Sequence, residues 1–85
     1  MKVLIPSALI SYTERNHVEA AGATVAEVLD ALDAKYPGIR FRMIDEQQHI
    51  RRHIRMFVSG EQVRDMAQPL GPKDELVIVQ ALSGG

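Results

Sequence analysis

Thr24-Val25-Ala26-Glu27 opens the stretch that most restricts how this chain folds, because cap and period there specify the same element. The four residues form a capping box: the Thr24 hydroxyl accepts from the Glu27 N–H while the Glu27 carboxylate reaches back to the Thr24 N–H. Val25, Val28, Leu29, Leu32 and Tyr36 follow at i, i+3, i+4, i+7 and i+11, which is one apolar stripe of a helix, and Pro37-Gly38 ends it. A helix with a single stripe needs one apolar surface to cover it, and the segments on either side read as strands. The expected fold is therefore α+β: a mixed sheet of four to five strands in the order β-β-α-β-β-β, with one main helix crossing one face.

The strands are read as follows. Lys2 to Leu9 is expected as a strand interrupted by Pro6, which cannot donate to a ladder and belongs at a bulge or on an unpaired side. His17 to Ala21 is a second strand, joined to the first by the polar run Ser11 to Asn16. Ile39 to Ile50 is irregular, with room for one helical turn and a loop. Ile54, Met56 and Val58 alternate with Arg55, Phe57 and Ser59, and Ser59-Gly60 turns the chain into Glu61-Gln62-Val63, which predicts a tight hairpin. After a turn at Leu70 to Asp74, the continuous apolar run Leu76 to Val79 predicts a central strand buried on both faces. Residues 1–82 form the domain in this reading, with 83–85 as a flexible tail. Glu27, Asp30, Asp33 and Lys35 lie off the helix stripe and read as a solvated face.

At 85 residues the chain makes one small domain, large enough for a core and small for an internal enzyme cleft. The absence of cysteine removes disulfides, thiolate zinc sites and a cysteine nucleophile. A net charge of -1 predicts no general attraction to nucleic acid or anionic membrane. Before Pro6 there is only Val3-Leu4-Ile5, too short for a signal peptide or a span, so a cytoplasmic protein is expected.

The sequence stops at Leu82-Ser83-Gly84-Gly85. Two glycines in succession have no Cβ to obstruct them, so such an end fits a channel too narrow for side chains and delivers its carboxylate into another protein's active site. The plainer reading is a frayed end or a linker-like Ser-Gly-Gly.

Taken in order, these pieces resemble the MoaD/ThiS/CysO-like family of ubiquitin-like β-grasp sulfur carriers. The resemblance runs through Thr24-Val25-Ala26-Glu27-Val28-Leu29, Leu32, Tyr36-Pro37-Gly38, Phe57-Val58-Ser59-Gly60-Glu61-Gln62-Val63 and Lys73 to Val79, ending on Gly84-Gly85. It departs from the usual pattern at Gln80, where many members have proline, and at Ser83, where alanine is usual. Ile5-Pro6 and His53 to Val63 look most like the cysteine-biosynthetic branch.

The resemblance implies a carrier rather than an enzyme, with no cofactor of its own. A ubiquitin-activating-type adenylyltransferase would use ATP to join the Gly85 carboxylate to AMP, a sulfurtransferase would supply sulfur to form a thiocarboxylate, and a biosynthetic enzyme would accept it. Gly85 would hold the reacting carbon and Gly84 would give clearance. The same resemblance leaves two other uses open: a ubiquitin-like modifier joined through Gly85 to lysines, and a molybdopterin-synthase small subunit in a stable complex.

Such a tail needs a docking face for specificity. Leu4 and Pro6 share one face by alternation, as do Val77, Val79 and Ala81, while the resemblance places Pro6, Gln62 and Val79 against the activating enzyme and runs the contact on through Leu82 and Ser83. The competing reading makes Val77 and Val79 ordinary core. His49 and His53 are four apart, but Arg51, Arg52 and Arg55 repel a metal cation and no acid completes a ligand set. Arg40, Arg42, Arg51, Arg52 and Arg55 hold half of the ten basic residues and read as a solvated or partner-facing patch rather than a nucleic-acid site, since no glycine-rich phosphate loop accompanies them.

Overall fold

The computed structural model describes residues 1–81. Its backbone follows from where the apolar residues of each strand must go. Five strands, β1 (Lys2–Leu4), β2 (His17–Glu19), β3 (Ile54–Val58), β4 (Glu61–Gln62) and β5 (Leu76–Gln80), form one mixed sheet in the order β2-β1-β5-β3-β4. The first and last strands pair in parallel at the centre, with Val3 opposite Leu76 and Leu4 opposite Val77. Both outer pairs, β1 with β2 and β3 with β4, are antiparallel, as is β3 with β5.

The long helix α2 (Val25–Lys35) covers the inner face, preceded by a short α1 (Ile10–Thr13) and followed by α3 (Ile39–Met43). Its stripe residues Val25, Val28, Leu29 and Leu32 are fully buried against Val3, Ile54, Met56, Leu76 and Ile78 of the sheet in one hydrophobic cluster. Each such side chain contributes about 1.5–3 kcal/mol relative to exposure. The Thr24 cap forms as expected, with the Glu27 N–H donating to Thr24 Oγ1 at 3.3 Å. The Glu27 carboxylate, however, accepts from the Ala23 N–H at 3.1 Å instead of from Thr24. The next two N–H groups of the helix, on Val25 and Ala26, donate to the carbonyls of Gln68 and Met66, so a distant loop completes the helix start.

Asp33, expected on a solvated face, instead accepts from the N–H groups of Gly38 (3.1 Å) and Arg40 (3.2 Å). It joins the end of α2 to the start of α3. Gly38 sits there at φ 96°, where a side chain would be strained.

Two strand expectations need correction. The chain does not run extended from Lys2 to Leu9. Pro6 ends β1, its carbonyl accepts from the Leu9 N–H at 2.9 Å, and Ser7–Leu9 forms a 3-10 turn leading into α1. The fixed φ and missing N–H of proline stop the ladder, and Leu9 and Thr13, four residues apart, then turn inward on a helical period. Likewise β5 is central but buried on one face only: Leu76 and Ile78 face α2, whereas Val77 is half-buried and Val79 is 43% exposed. No helix of the described residues is long and apolar enough to cross a membrane.

The hairpin between β3 and β4 turns through Ser59 and Gly60, both at positive φ, with Val58 paired to Glu61. The Ser59 hydroxyl donates to Asp74 Oδ1 at 2.6 Å and the Gly71 N–H to Asp74 Oδ2 at 2.7 Å, so one carboxylate ties two turns together. The Ser59 hydroxyl first, and the Gly71 N–H second, hold the Asp74 carboxyl below the ordinary aspartate range. A depressed folded-state pKa makes this tie fully present at neutral pH and lost as pH falls below about 4, through the folded value. We expect Ser59→Ala to move the Asp74 titration upward in carboxyl NMR and to reduce the acid-induced loss of stability; an unmoved titration would mean the hydroxyl does not hold the carboxylate.

Candidate functional site

With α2 on one side, the other side of the sheet is left open, and the strand registers determine what it displays. Leu4 lies opposite His17 and Val77, Val77 opposite Phe57, and Phe57 opposite Gln62, so one row of outward side chains crosses all five strands. Leu4, Val77 and Phe57 in the middle are half-buried, while His17 and Gln62 at the ends are exposed. Leu4, Val77 and Gln62 were expected there. Phe57 was not singled out, although its alternation with the inward Met56 and Val58 places it on this face.

Toward the end of β5 the same face shows Val79 beside Arg55. Val79 also lines a groove of about 580 Å³ with Ile5, Pro6, His53, Gln80 and Ala81. Pro6 and Val79, both expected on the docking face, share a concave, largely apolar surface where the 3-10 turn meets the end of the central strand. The Ala81 N–H donates to the His53 carbonyl at 2.7 Å and fixes the root from which the chain continues. The expected site residues Leu82, Ser83, Gly84 and Gly85 lie outside the described residues.

The basic segment divides among several surroundings. Arg40 Nε lies 3.0 Å from Asp30 Oδ1, an ion pair with the carboxylate off the N–H direction, and its guanidinium also donates to Gln48. Arg42 Nε donates to the Tyr12 hydroxyl at 2.9 Å, the contact that raises the guanidinium pKa. Arg51 donates from Nε to the Phe41 carbonyl at 2.7 Å and stacks on that ring, 4.6 Å from its centre, leaving Phe41 57% exposed. Arg55 donates from Nη1 to the carbonyls of Ile54 (3.0 Å) and Arg52. The His49 backbone N–H donates to Asp45 Oδ1, and no three His, Asp or Glu residues gather into a cation site among the described residues.

What this surface offers is recognition: an apolar centre, one oriented cation, and a chain that leaves from the middle of the sheet. A five-stranded mixed sheet folded around one long helix in this order is the ubiquitin-like β-grasp fold, which the chain shares with small carrier proteins. The chain belongs to the ThiS family, whose sequence profile matches residues 3–85.

Its relatives include the sulfur carrier protein CysO of Mycobacterium tuberculosis, 32% identical over 89 residues that cover 98% of this chain and 96% of the relative. Among solved structures, a chain of the Amycolatopsis orientalis BexX/CysO complex superposes with a TM-score of 0.91 at 34% identity, covering 99% of this chain and 98% of that one. The small archaeal modifier protein 1 of Methanosarcina acetivorans superposes with a TM-score of 0.81 at 25% identity, covering 99% and 94%.

Proposed function

We propose that this protein is a sulfur carrier of the CysO kind, and that its working group is the carboxylate of Gly85. The observation that carries the reading is the family match, which covers residues 3–85 and so includes Gly85, joined to a geometry in which the central strand β5 ends at Gln80 with its exit held at Ala81. A carboxylate resists nucleophiles because it is already negative and its oxygen leaves poorly. Attack of the Gly85 carboxylate on the α-phosphorus of ATP releases pyrophosphate and leaves an acyl adenylate. Sulfide then adds to the carbonyl carbon and AMP departs, giving the thiocarboxylate. If the donor is a persulfide, a second thiol must cut the remaining S–S bond.

The carrier supplies no catalytic group in this scheme; it positions its own end. Its partners are an adenylating enzyme of the ubiquitin-activating type, a sulfurtransferase and a sulfur-accepting biosynthetic enzyme. The A. orientalis relative, found in a complex with BexX, supports the expectation that such carriers work docked on a partner. The open face around Leu4, Pro6, Gln62, Val77, Val79 and Ala81 is the surface we assign to that docking.

Incubation with an activating enzyme, ATP and a sulfur donor should add the mass of one oxygen-to-sulfur exchange, located by fragmentation on the last residue. A modification on an internal side chain would refute the mechanism. Likeness to an archaeal modifier favours one second reading, attachment through Gly85 to lysine amines. Isopeptide-linked products in place of the thiocarboxylate would establish it.

A further inference from the structure

Arg55 and Val79 stand opposite each other on β3 and β5, and both point away from the buried Met56 and Ile78. The Arg55 guanidinium is held rather than free: Nη1 donates to the Ile54 carbonyl at 3.0 Å and to the Arg52 carbonyl. Its other nitrogens make no hydrogen bond among the described residues, and none of the carboxylates there lies within ion-pair range of it. From His49 to Val58 the sequence has three arginines, two histidines and no acid. Ile5, Pro6, Ser7, Ala8, Gln80 and Ala81, which line the groove beside Val79, add no charge. Three arginines thus lie near the end of the last strand, and Glu27 and Asp65, which line a neighbouring hollow with them, form no ion pair with any of the three.

The surroundings of this cation restrict what pairs with it. A free polyanion would leave the row Leu4, Val77, Phe57 and the adjoining Val79 in water, whereas a protein surface covers that row and Arg55 together. A guanidinium fixed in orientation at the rim of an apolar patch favours a carboxylate that approaches its open nitrogens side by side. Arginine beside apolar anchors is also the composition of energetically dominant interface centres.

We propose that Arg55 is the specificity residue of the docking face, and that it selects a partner presenting a carboxylate next to the apolar patch that covers Val79. The inference rests on the sulfur-carrier reading, and deepens it by defining the partner's chemistry.

The test uses the full chain and the activating enzyme that adenylates it, with affinity measured by titration at low and high salt. Arg55→Glu should weaken binding about 30-fold or more and Arg55→Gln about 10-fold, whereas Arg52→Glu, an exposed neighbour off this contact, should change it about threefold or less. Wild-type affinity should fall with salt, and Arg55→Gln should flatten that dependence. In steady-state loading the Arg55 variants should raise KM and leave kcat unchanged. Circular dichroism and thermal melting should match the wild type, which separates lost docking from lost folding.

Unchanged affinity in Arg55→Glu would overturn the proposal. So would an equal loss in Arg52→Glu, which would mean diffuse attraction rather than a docked carboxylate, or a fall in kcat at unchanged affinity. Failure of the sulfur-carrier reading has a different signature: the wild-type chain itself would gain no sulfur.

Discussion

Ile78→Asp should leave the protein unfolded, whereas Val79→Asp, one residue further on, should leave it folded and unable to hold its partner. Ile78 is 2% exposed and packs in the cluster beneath α2, so an aspartate there would be a buried charge with no partner. Losses of that kind reach about 4–5 kcal/mol or more, comparable with the whole stability of a small domain at about 5–15 kcal/mol. Val79 is 43% exposed on the opposite face, where substitutions move stability by only about 0.5 kcal/mol. An aspartate at that point also faces Arg55 across the strands and would neutralise the cation assigned to recognition. Placing a charge in the apolar contact should cost more than about 1 kcal/mol of binding. Circular dichroism followed by titration against the activating enzyme reads both effects. A folded Val79→Asp with normal affinity would remove this face from consideration.

Deletion of Gly85 should abolish sulfur loading and shift thermal stability by no more than about 0.5 kcal/mol. Among the described residues, every buried member of the hydrophobic cluster lies between Val3 and Ile78, upstream of the root fixed at Ala81. The reaction, in contrast, requires the terminal carbonyl carbon at one distance from the activating site, and a chain shortened by one residue withdraws it by about 3.5 Å. Loading that persisted in the truncated chain would mean the working group is elsewhere.

How far the sequence could be read depends on which force dominates at each segment. The helix from Val25 was legible because its cap at Thr24 and its stripe agree, and burial of Val28, Leu29 and Leu32 is what local spacing requires. The hairpin was legible because Ser59-Gly60 both tolerate the turn and interrupt an alternating pattern. Ser7 to Thr13 was not. Its apolar residues fit an extended chain about as well as a helical one, and the choice depends on Pro6 closing a turn to Leu9.

The run Leu76 to Val79 misled for a related reason. Four apolar residues in succession are what a strand between two layers has, and nothing within the run reveals that only one layer is present. Val77 and Val79 are apolar and lie on the face away from α2, the one half-buried and the other exposed. Arg55 was visible only as one of five clustered arginines; its separation from Arg40, Arg42 and Arg51 needed the register of β3 on β5. Asp33 and Glu27 show the opposite case, acidic residues that looked merely solvated or self-contained and that instead bind neighbouring N–H groups.

The parallel pairing of β1 with β5 makes the recognisable surface a report on completed folding. Without β5 the remaining strands are two separate hairpins, β1 with β2 and β3 with β4, and the row from Leu4 to Gln62 does not exist. Its middle residue, Val77, comes from near one end of the sequence and its neighbour Leu4 from near the other. Contacts between such distant segments form late, because the entropy of closing the long loop must be met before they stabilise anything. On the docking proposed above, a partner that recognises this row would reject nascent or misfolded chains and would commit ATP only to a chain whose first and last strands have already paired.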